Sequence, residues 1–492
     1  MEQGIALALW LPAACALTGL VLLVLLDGFG RSALSIIAGV AGLLAAAAAA
    51  IGTGVTSAEL VVTGGLFSSP GFSWLAAVMY ALSAVTMAAG YHRLAARERG
   101  PALGGLVILG ALFSHALLVS ADLMVLFVSL AGLAVVSYGL IAGAGTRRSE
   151  EAAIRYFIQG AVATALTIYG MGVVLALGGG ATQYTEAAFV LSGAPLRPAM
   201  LALGFFMAVF AFKIGAVPFH SWVPDVYETT DPPLTAFIAS VPKIASLVAL
   251  MLLVRYTLLG SPLFSPSGTL LVVLAVASLA IGAFGMLRQT DLGRLLGYSG
   301  IAQVGYALAA IAAGAQGVRA LIVFIVTYAV AVAGAFVVLE AVRRVSPAWD
   351  GSVAGLAGLS RRAPLLAAAL AVTMLSLTGI PLFAGFWGKL MTFAALVDAQ
   401  MIWLAVAAGV AAVVSFGGYG SVIRAAYFEP EGGPRVADDL TEVTDAPEAA
   451  GEGRSRRGPE GVIAVLLALV VLALGIAPLL LGLDRVFRVF WL

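Results

Sequence analysis

Fourteen runs of about twenty apolar residues occupy almost the whole chain and constrain it more than any other feature. A bilayer core about 30 Å thick needs about 20 apolar residues as a helix, because backbone polar groups in lipid must be satisfied within the segment. The runs lie at 5–25, 32–53, 72–91, 101–120, 122–145, 153–177, 199–218, 234–257, 268–287, 293–313, 317–342, 364–396, 400–427 and 461–483. Soluble proteins carry about 25% charged residues; here 10% of 492 residues are charged and 62% are hydrophobic. The chain therefore reads as an all-α membrane protein of about fourteen transmembrane helices, and an ordinary soluble enzyme is excluded. Glu2 with no basic region precedes the first run, so a retained span is expected rather than a cleaved signal.

The 26 basic residues divide into 23 arginines and three lysines, Lys213, Lys243 and Lys389, and all three lysines fall inside apolar runs. With connecting loops assigned alternately to the two sides, seventeen arginines fall on one side and five on the other, and Arg155 lies just inside the sixth span. The rich side is expected to be cytoplasmic, with both termini on the outer, periplasmic side of a bacterial inner membrane. With 26 basic against 25 acidic residues, nothing points to nucleic acid as a partner; the expected environment is the lipid bilayer. Cys15 is the only cysteine, and His92, His115 and His220 are scattered, so no disulfide, iron–sulfur, haem or zinc site is expected. The stretch 429–460 is acidic and rich in Gly and Pro, and is expected to be a mobile cytoplasmic loop. Ala45–Ala50 reads as close helix packing through small residues.

Lys213 stands about fourteen residues into the seventh span, near mid-bilayer, where snorkelling to an interface is difficult. Pro218, five residues on, removes a backbone donor, so a polar break is expected there. The segment from His220 to Pro233 then reads as an irregular or amphipathic piece lining a cavity on the cytoplasmic side. Lys243 follows Pro242 in the eighth span, and Lys389 follows Pro381 and the glycines of MLSLTGIPLFAGFWGKL in the twelfth. Broken helices with buried cations in comparable places in two halves are a transporter pattern. A buried ammonium, unlike a guanidinium, is able to give up its proton. Two unit charges about 7 Å apart interact by roughly 2.4 kcal/mol at an effective dielectric near 20. Moving one charge across 100 mV takes about 2.3 kcal/mol, so neighbouring charges bias one another on the scale a proton pump needs.

Ser299, Gln303 and Tyr306 recur at i, i+4 and i+7 on the tenth span, a polar stripe fit for a water chain or for interhelical hydrogen bonds. His220 is a candidate proton shuttle or a structural part of the break, whereas His115 and His92 read as packing and surface residues. None of the 25 carboxylates sits at the centre of a span; Asp122 and Glu151 stand at helix starts, and Glu340 is placed to pair with Arg343 and Arg344.

The runs FKIGAVPFHSWVPDVYE, PPLTAFIASVPKIAS, LRQTDLGRLLGYSGIAQVGY and MLSLTGIPLFAGFWGK resemble the subunit N family of respiratory complex I, the proton-translocating NADH–quinone oxidoreductase. RRSEEAAIRYFIQGAVATALTIYGMG is similar to the sixth-helix region of the same family. The resemblance implies an antiporter-like fold with two inverted five-helix repeats, at 101–258 and 264–428, and broken helices seven and twelve. Helices one to three at 1–100 would precede the repeats, and the loop 429–460 and a last helix in 461–492 would follow. It implies one proton path, with Lys213 as the loading site, Lys243 as a central relay and Lys389 as the exit-side donor. It further implies that NAD, FMN, iron–sulfur clusters and quinone are bound by other subunits, that this chain holds no cofactor, and that neighbouring membrane subunits are its partners. The chain departs from the family pattern at four positions. Ala131 stands where a helix-five glutamate is usual, Gln303 where a histidine is, Val332 where an asparagine is, and Gly293 where a basic residue is. Two other readings are a stand-alone or Mrp-type secondary cation/proton antiporter, which should offer an intramembrane carboxylate to bind sodium, and a structural, non-pumping member of the same complex.

Overall fold

The computed structural model describes residues 2–56, 61–63, 65–180, 182–258, 264–430 and 458–481. Most of the acidic stretch, with Arg435, Arg454, Arg456 and Arg457, and also Arg485 and Arg488, lie outside the described residues. Helices α1 (Glu2–Gly28), α2 (Ser32–Thr56) and α3 (Pro70–Ala89) come first, with a hairpin of β1 (Val61–Thr63) and β2 (Leu66–Ser68) between the second and third. The short α4 (Tyr91–Ala96) leads to α5 (Gly100–Leu118), α6 (Leu123–Ala142) and α7 (Arg147–Gly178). After the short α8 (Tyr184–Gly193) come α9 (Leu196–Ile214), α10 (Trp222–Thr229) and α11 (Pro232–Leu253). The second half holds α12 (Phe264–Met286), α13 (Leu292–Ala312), α14 (Gly317–Val345), the short α15 (Leu359–Arg362), α16 (Pro364–Thr378), α17 (Ala384–Asp398) and α18 (Ile402–Phe428), and α19 (Pro459–Leu481) closes the described chain.

Among the described residues thirteen helices are long and apolar enough to cross a membrane, and the twelfth run, 364–396, is divided between α16 and α17. The chain is a multi-pass membrane protein. Contacts between loops reproduce the alternation deduced from arginine counts. The bridges Leu66↔Ser120 and Asp122↔Gln183 join loops of the arginine-poor face, and Asp291↔Ser352 joins loops of the arginine-rich face.

Helix ends are closed by short polar side chains where the chain leaves the apolar zone. Asp122 accepts from the backbone N–H of Met124 at 2.7 Å, and Thr146 forms a capping box with Ser149. Helices α11 and α14 pack at the centre, and every residue of their apolar windows is buried. A helix apolar all round belongs in such a place. The outer helices α7 and α18 instead leave Phe157, Ile158, Val413 and Phe416 exposed, as lipid-facing surfaces do. Helices α1 and α2 meet through Gly19 and Gly42; a Cβ on Gly19 would lie 2.7 Å from the Gly42 Cα. Ala46, Ala47 and Ala50 are buried, as the small-residue reading requires.

Candidate functional site

Helix α9 ends at Ile214 and is capped by Gly215, whose φ of +78° belongs to the left-handed region. The Gly215 N–H donates to the Phe212 carbonyl, which also accepts the Trp222 indole N–H at 3.1 Å. The break therefore begins three residues before Pro218, which lies exposed in the connecting turn and does not itself end the helix. A glycine that closes a helix in the left-handed conformation needs no proline behind it. Within the turn the Val217 N–H donates to Ser278 Oγ, and Gln159 donates to Ser221 Oγ. His220 is half-buried there, and among the described residues its Nδ1 makes no hydrogen bond of full geometry. The expected irregular segment is mainly the helix α10, with Trp222, Val226 and Tyr227 buried.

The second break lies between α16 and α17. Gly379, at φ +91°, ends α16, and Pro381 sits in the turn that follows. Gly385 and Gly388 belong to α17 and serve close packing; a Cβ on Gly388 would lie 2.6 Å from the Phe324 Cα. Pro242 breaks nothing, since α11 continues through it to Leu253.

Each lysine is buried beside tyrosine. Lys213 Nζ donates to Tyr156 Oη at 3.2 Å. Lys243 Nζ donates to Tyr328 Oη at 3.4 Å and stands 5.4 Å from the Tyr227 ring centroid. Lys389 Nζ lies 4.7 Å from the Tyr306 ring centroid and donates to the Leu377 and Thr378 carbonyls at 2.9 and 2.8 Å. These carbonyls are freed by the end of α16, whose negative dipole end favours a cation. Aromatic faces within about 6 Å add cation–π attraction. Among the described residues no carboxylate pairs with any of the three lysines.

Tyrosines also link the positions. Tyr156 packs edge-on against Trp222, with ring centroids 4.7 Å apart, and Tyr227 lies five residues further along the same segment. Tyr328 lines a void of about 10 Å³ with Gln303, Leu377 and Lys389, enough room for about one water molecule. Gln303 donates to the Leu377 carbonyl at 2.8 Å and to Tyr419 Oη at 3.2 Å, and Ser299 shares a 2.6 Å hydrogen bond with the same Tyr419. Tyr306 donates to the Ala408 carbonyl at 2.9 Å. The polar stripe of α13 is thus tied to α16 and α18 by interhelical hydrogen bonds, and Gln303 brings it to the carbonyl that also holds Lys389.

The four departures acquire physical settings. Ala131 and Lys213 line one void of about 10 Å³ with Thr164 and Thr167, so a side chain at 131 would point at the lysine's surroundings. A Cβ on Gly293 would stand 2.5 Å from the Tyr227 carbonyl oxygen, so the close approach of α13 to α10 leaves no room for a basic side chain. Val332 is fully buried. A larger void of about 340 Å³, lined by Met251, Arg255, Tyr256 and Ile311, lies towards the arginine-poor face and touches none of the lysines.

On the arginine-rich face two ion networks close the ends of the central helices. Arg93 binds Glu340 through two N–O contacts of 3.0 Å and reaches Asp231 at 3.3 Å, and Arg97 also pairs with Asp231. Arg294 bridges Asp225 at 2.8 Å and Glu228 at 2.9 Å, and Arg155 holds the other oxygen of Asp225. Glu340 thus pairs with a residue of α4 rather than with Arg343 or Arg344 on its own helix, and Arg344 pairs with Glu460. Asp291 caps α13 by accepting the Arg294 N–H at 2.7 Å, and burial pushes its carboxyl up to about 6. His115 shares a 2.9 Å hydrogen bond with Tyr80 in the core, and His92 is exposed, in keeping with packing and surface roles.

Sequence reasoning missed Tyr156, Tyr328 and Tyr419 as partners of the site, and Gly300, where a Cβ would come 3.0 Å from Lys243 Nζ and 3.3 Å from Tyr328 Oη. The available signal was the hydroxyl that each tyrosine carries into an apolar run.

Residues 120–415 match the family described as NADH:quinone oxidoreductase/Mrp antiporter, TM. The chain is 35% identical over 435 residues to NADH-quinone oxidoreductase subunit N of Sphingopyxis alaskensis, covering 87% of each. It is also 35% identical over 420 residues to the protein of the same name from Rhodospirillum rubrum, covering 82% of this chain and 81% of that one. Among solved structures it resembles a chain of respiratory complex I from Thermus thermophilus with bound Aureothin, at TM-score 0.77 and 29% identity, over 96% of this chain and 98% of that one. In fold it is similar to a chain of the Mrp complex from Dietzia sp. DQ12-45-1b, at TM-score 0.78 and 22% identity, over 100% of both.

Proposed function

The chain belongs to the NADH:quinone oxidoreductase/Mrp antiporter family of membrane subunits, and from that premise we propose that it is the subunit N-type proton-translocating member of an NADH–quinone oxidoreductase. It moves protons along Lys213, Lys243 and Lys389, coupled to quinone reduction elsewhere in the complex. NAD, flavin, iron–sulfur clusters and quinone belong to other subunits, neighbouring membrane subunits flank this one, and the arginine-rich face is cytoplasmic.

The observation that carries the reading is the set of neutral partners around three buried ammonium groups. Removing a proton from a lysine paired with a carboxylate would leave a buried anion without a counter-charge. Removing one here leaves only neutral groups. A tyrosine hydroxyl accepts from the ammonium and is equally able to donate to the amine. The missing helix-five carboxylate at Ala131 leaves the controlling charge to come from a neighbouring subunit.

Proton uptake by sealed vesicles containing the assembled complex tests this. Lys213→Ala and Lys389→Ala are each expected to lower the number of protons moved per electron. An unchanged ratio in both would leave a structural, non-pumping subunit. Ala131→Glu, which sets a carboxylate beside Lys213, is the complementary test: stronger coupling would show that a controlling charge has been lost at this position. The Mrp-type reading draws support from the shared fold alone; sodium-dependent transport by the isolated chain would favour it.

A further inference from the structure

We infer that α19 positions Lys389: Gly475 and Trp387 hold the turn at Leu382 against this last helix and thereby fix the lysine on the Leu377 and Thr378 carbonyls. This rests on the proton-path reading above and adds to it two positioning residues, one of them on a helix that carries none of the three lysines.

Residues 380–383 are the covalent link between the end of α16, whose carbonyls accept from the Lys389 ammonium, and α17, which carries that lysine in its second turn. On its inner side the link is fixed by α16 itself. The Gly385 N–H donates to Ser376 Oγ at 3.1 Å, and a Cβ on Gly379 would lie 2.8 Å from Lys389 Cδ. On its outer side the link rests on α19. A Cβ on Gly475 would collide with the Leu382 carbonyl oxygen and stand 2.6 Å from Phe383 Cα, so the two backbones meet at a point that only glycine leaves open. Trp387, two residues before Lys389 on α17, donates its indole N–H to the Gly475 carbonyl at 2.8 Å. Three residues beyond Gly475, Pro478 lacks the N–H that the Leu474 carbonyl would otherwise accept, which loosens this turn of α19 within itself.

Leu382 shows what the contact does. Its φ is +78°, and among the described residues Gln400 is the one other non-glycine residue with positive φ. Such a conformation is costly for leucine and persists where the surroundings over-determine it. The Leu382 side chain is not what holds it, being 55% exposed. Its carbonyl, pressed against Gly475, is the fixed part. Helix packing alone gives no reason for a strained leucine in a turn where glycine would take the same φ freely, as Gly379 does at +91°. A turn made by leucine keeps its shape only while α19 bears on it, and this ties the seat of the lysine to the last helix. The start of α19 is anchored separately, by Glu460 on Arg344 of α14 at 2.8 Å, about 22 Å along the helix from Gly475.

The test uses the complete complex in sealed vesicles and reads protons moved per electron, uncoupled electron transfer and heat-induced loss of the subunit. Trp387→Phe keeps a ring and removes the N–H, and Gly475→Ala pushes the turn away from α19. Each is expected to lower the proton ratio towards that of Lys389→Met while uncoupled electron transfer is unchanged. Leu382→Gly, which takes the left-handed turn without strain, is expected to restore the ratio in the Trp387→Phe variant. Glu460→Gln weakens only the start of α19 and is expected to bring heat-induced loss forward while the ratio stays parental. A parental ratio in both Trp387→Phe and Gly475→Ala, with Lys389→Met lowered, would overturn the positioning role and leave the lysine path standing. So would an equal loss of ratio in Glu460→Gln, which would make α19 a general support. A parental ratio in Lys389→Met would remove both. Should Gly475→Ala fail to assemble, Trp387→Phe and its rescue by Leu382→Gly decide by the same readout.

Discussion

Replacing Lys389 by methionine keeps most of the side-chain volume and removes only the ammonium. That group closes the end of α16, donating to the Leu377 and Thr378 carbonyls at 2.9 and 2.8 Å. The Leu377 carbonyl would keep Gln303 at 2.8 Å. The Thr378 carbonyl would lose the donor it has among the described residues, at a cost of about 1–3 kcal/mol. Loss of a cation at a helix C-terminus adds about 1 kcal/mol. Lys389→Met therefore gives up about 2–4 kcal/mol of contacts at the helix end, set against relief of the buried charge, and the net change is read as a shift in heat-induced loss of the subunit from the purified complex. Lys389→Arg keeps the charge but not the ability to release a proton, and its larger head exceeds a void of about 10 Å³. Both variants are expected to move fewer protons per electron, and only the methionine loses the cation that satisfies the helix end. If Lys389→Met proved as stable as the parent and pumped equally well, the assignment of this ammonium to both tasks would be wrong.

Other perturbations test the arginine-rich face and the central relay. The Asp291 carboxyl, raised to about 6 by burial, contributes stability that is complete below its unfolded value near 3.8 and is lost as pH rises through 6. Asp291→Asn retains a capping acceptor, so melting curves should show stabilisation at pH 8, up to roughly 3 kcal/mol, that vanishes near pH 4. Glu340→Gln removes one of the two carboxylates that hold Arg93, which keeps Asp231 at 3.3 Å, and is expected to cost about 1 kcal/mol because Arg93 is 30% exposed; unchanged thermal dissociation would count against the pair. Gly300→Ala places a methyl 3.0 Å from Lys243 Nζ, and since the Lys243–Tyr328 hydrogen bond is already 3.4 Å long, vesicle assays should show proton translocation reduced severalfold in an assembled complex.

The fold was legible because its determinants are local. Apolar runs mark spans and arginines mark loops, and both can be read without knowing what touches what. The three lysines stood out because a cation inside an apolar run is costly enough to need a reason. Their surroundings were harder to read. Tyr156 and Tyr328 pass as core residues until their hydroxyls are placed, and Glu340 finds its partner 247 residues away, where helical spacing gives no guide. Proline was overweighted as a punctuation mark, since Gly215 ends α9 before Pro218 and α11 runs through Pro242.

The neutral setting of the lysines has a consequence for how the subunit meets membrane voltage. Among the described residues no carboxylate pairs with Lys213, Lys243 or Lys389 to fix the charge beside them. On the proposed proton path, the charge along this line would be the number of protons the lysines hold, like the plate of a capacitor loaded in whole steps. Each step would then be felt by the transmembrane field at up to about 2.3 kcal/mol per 100 mV, with no fixed countercharge among the described residues paired to the lysine to absorb the change.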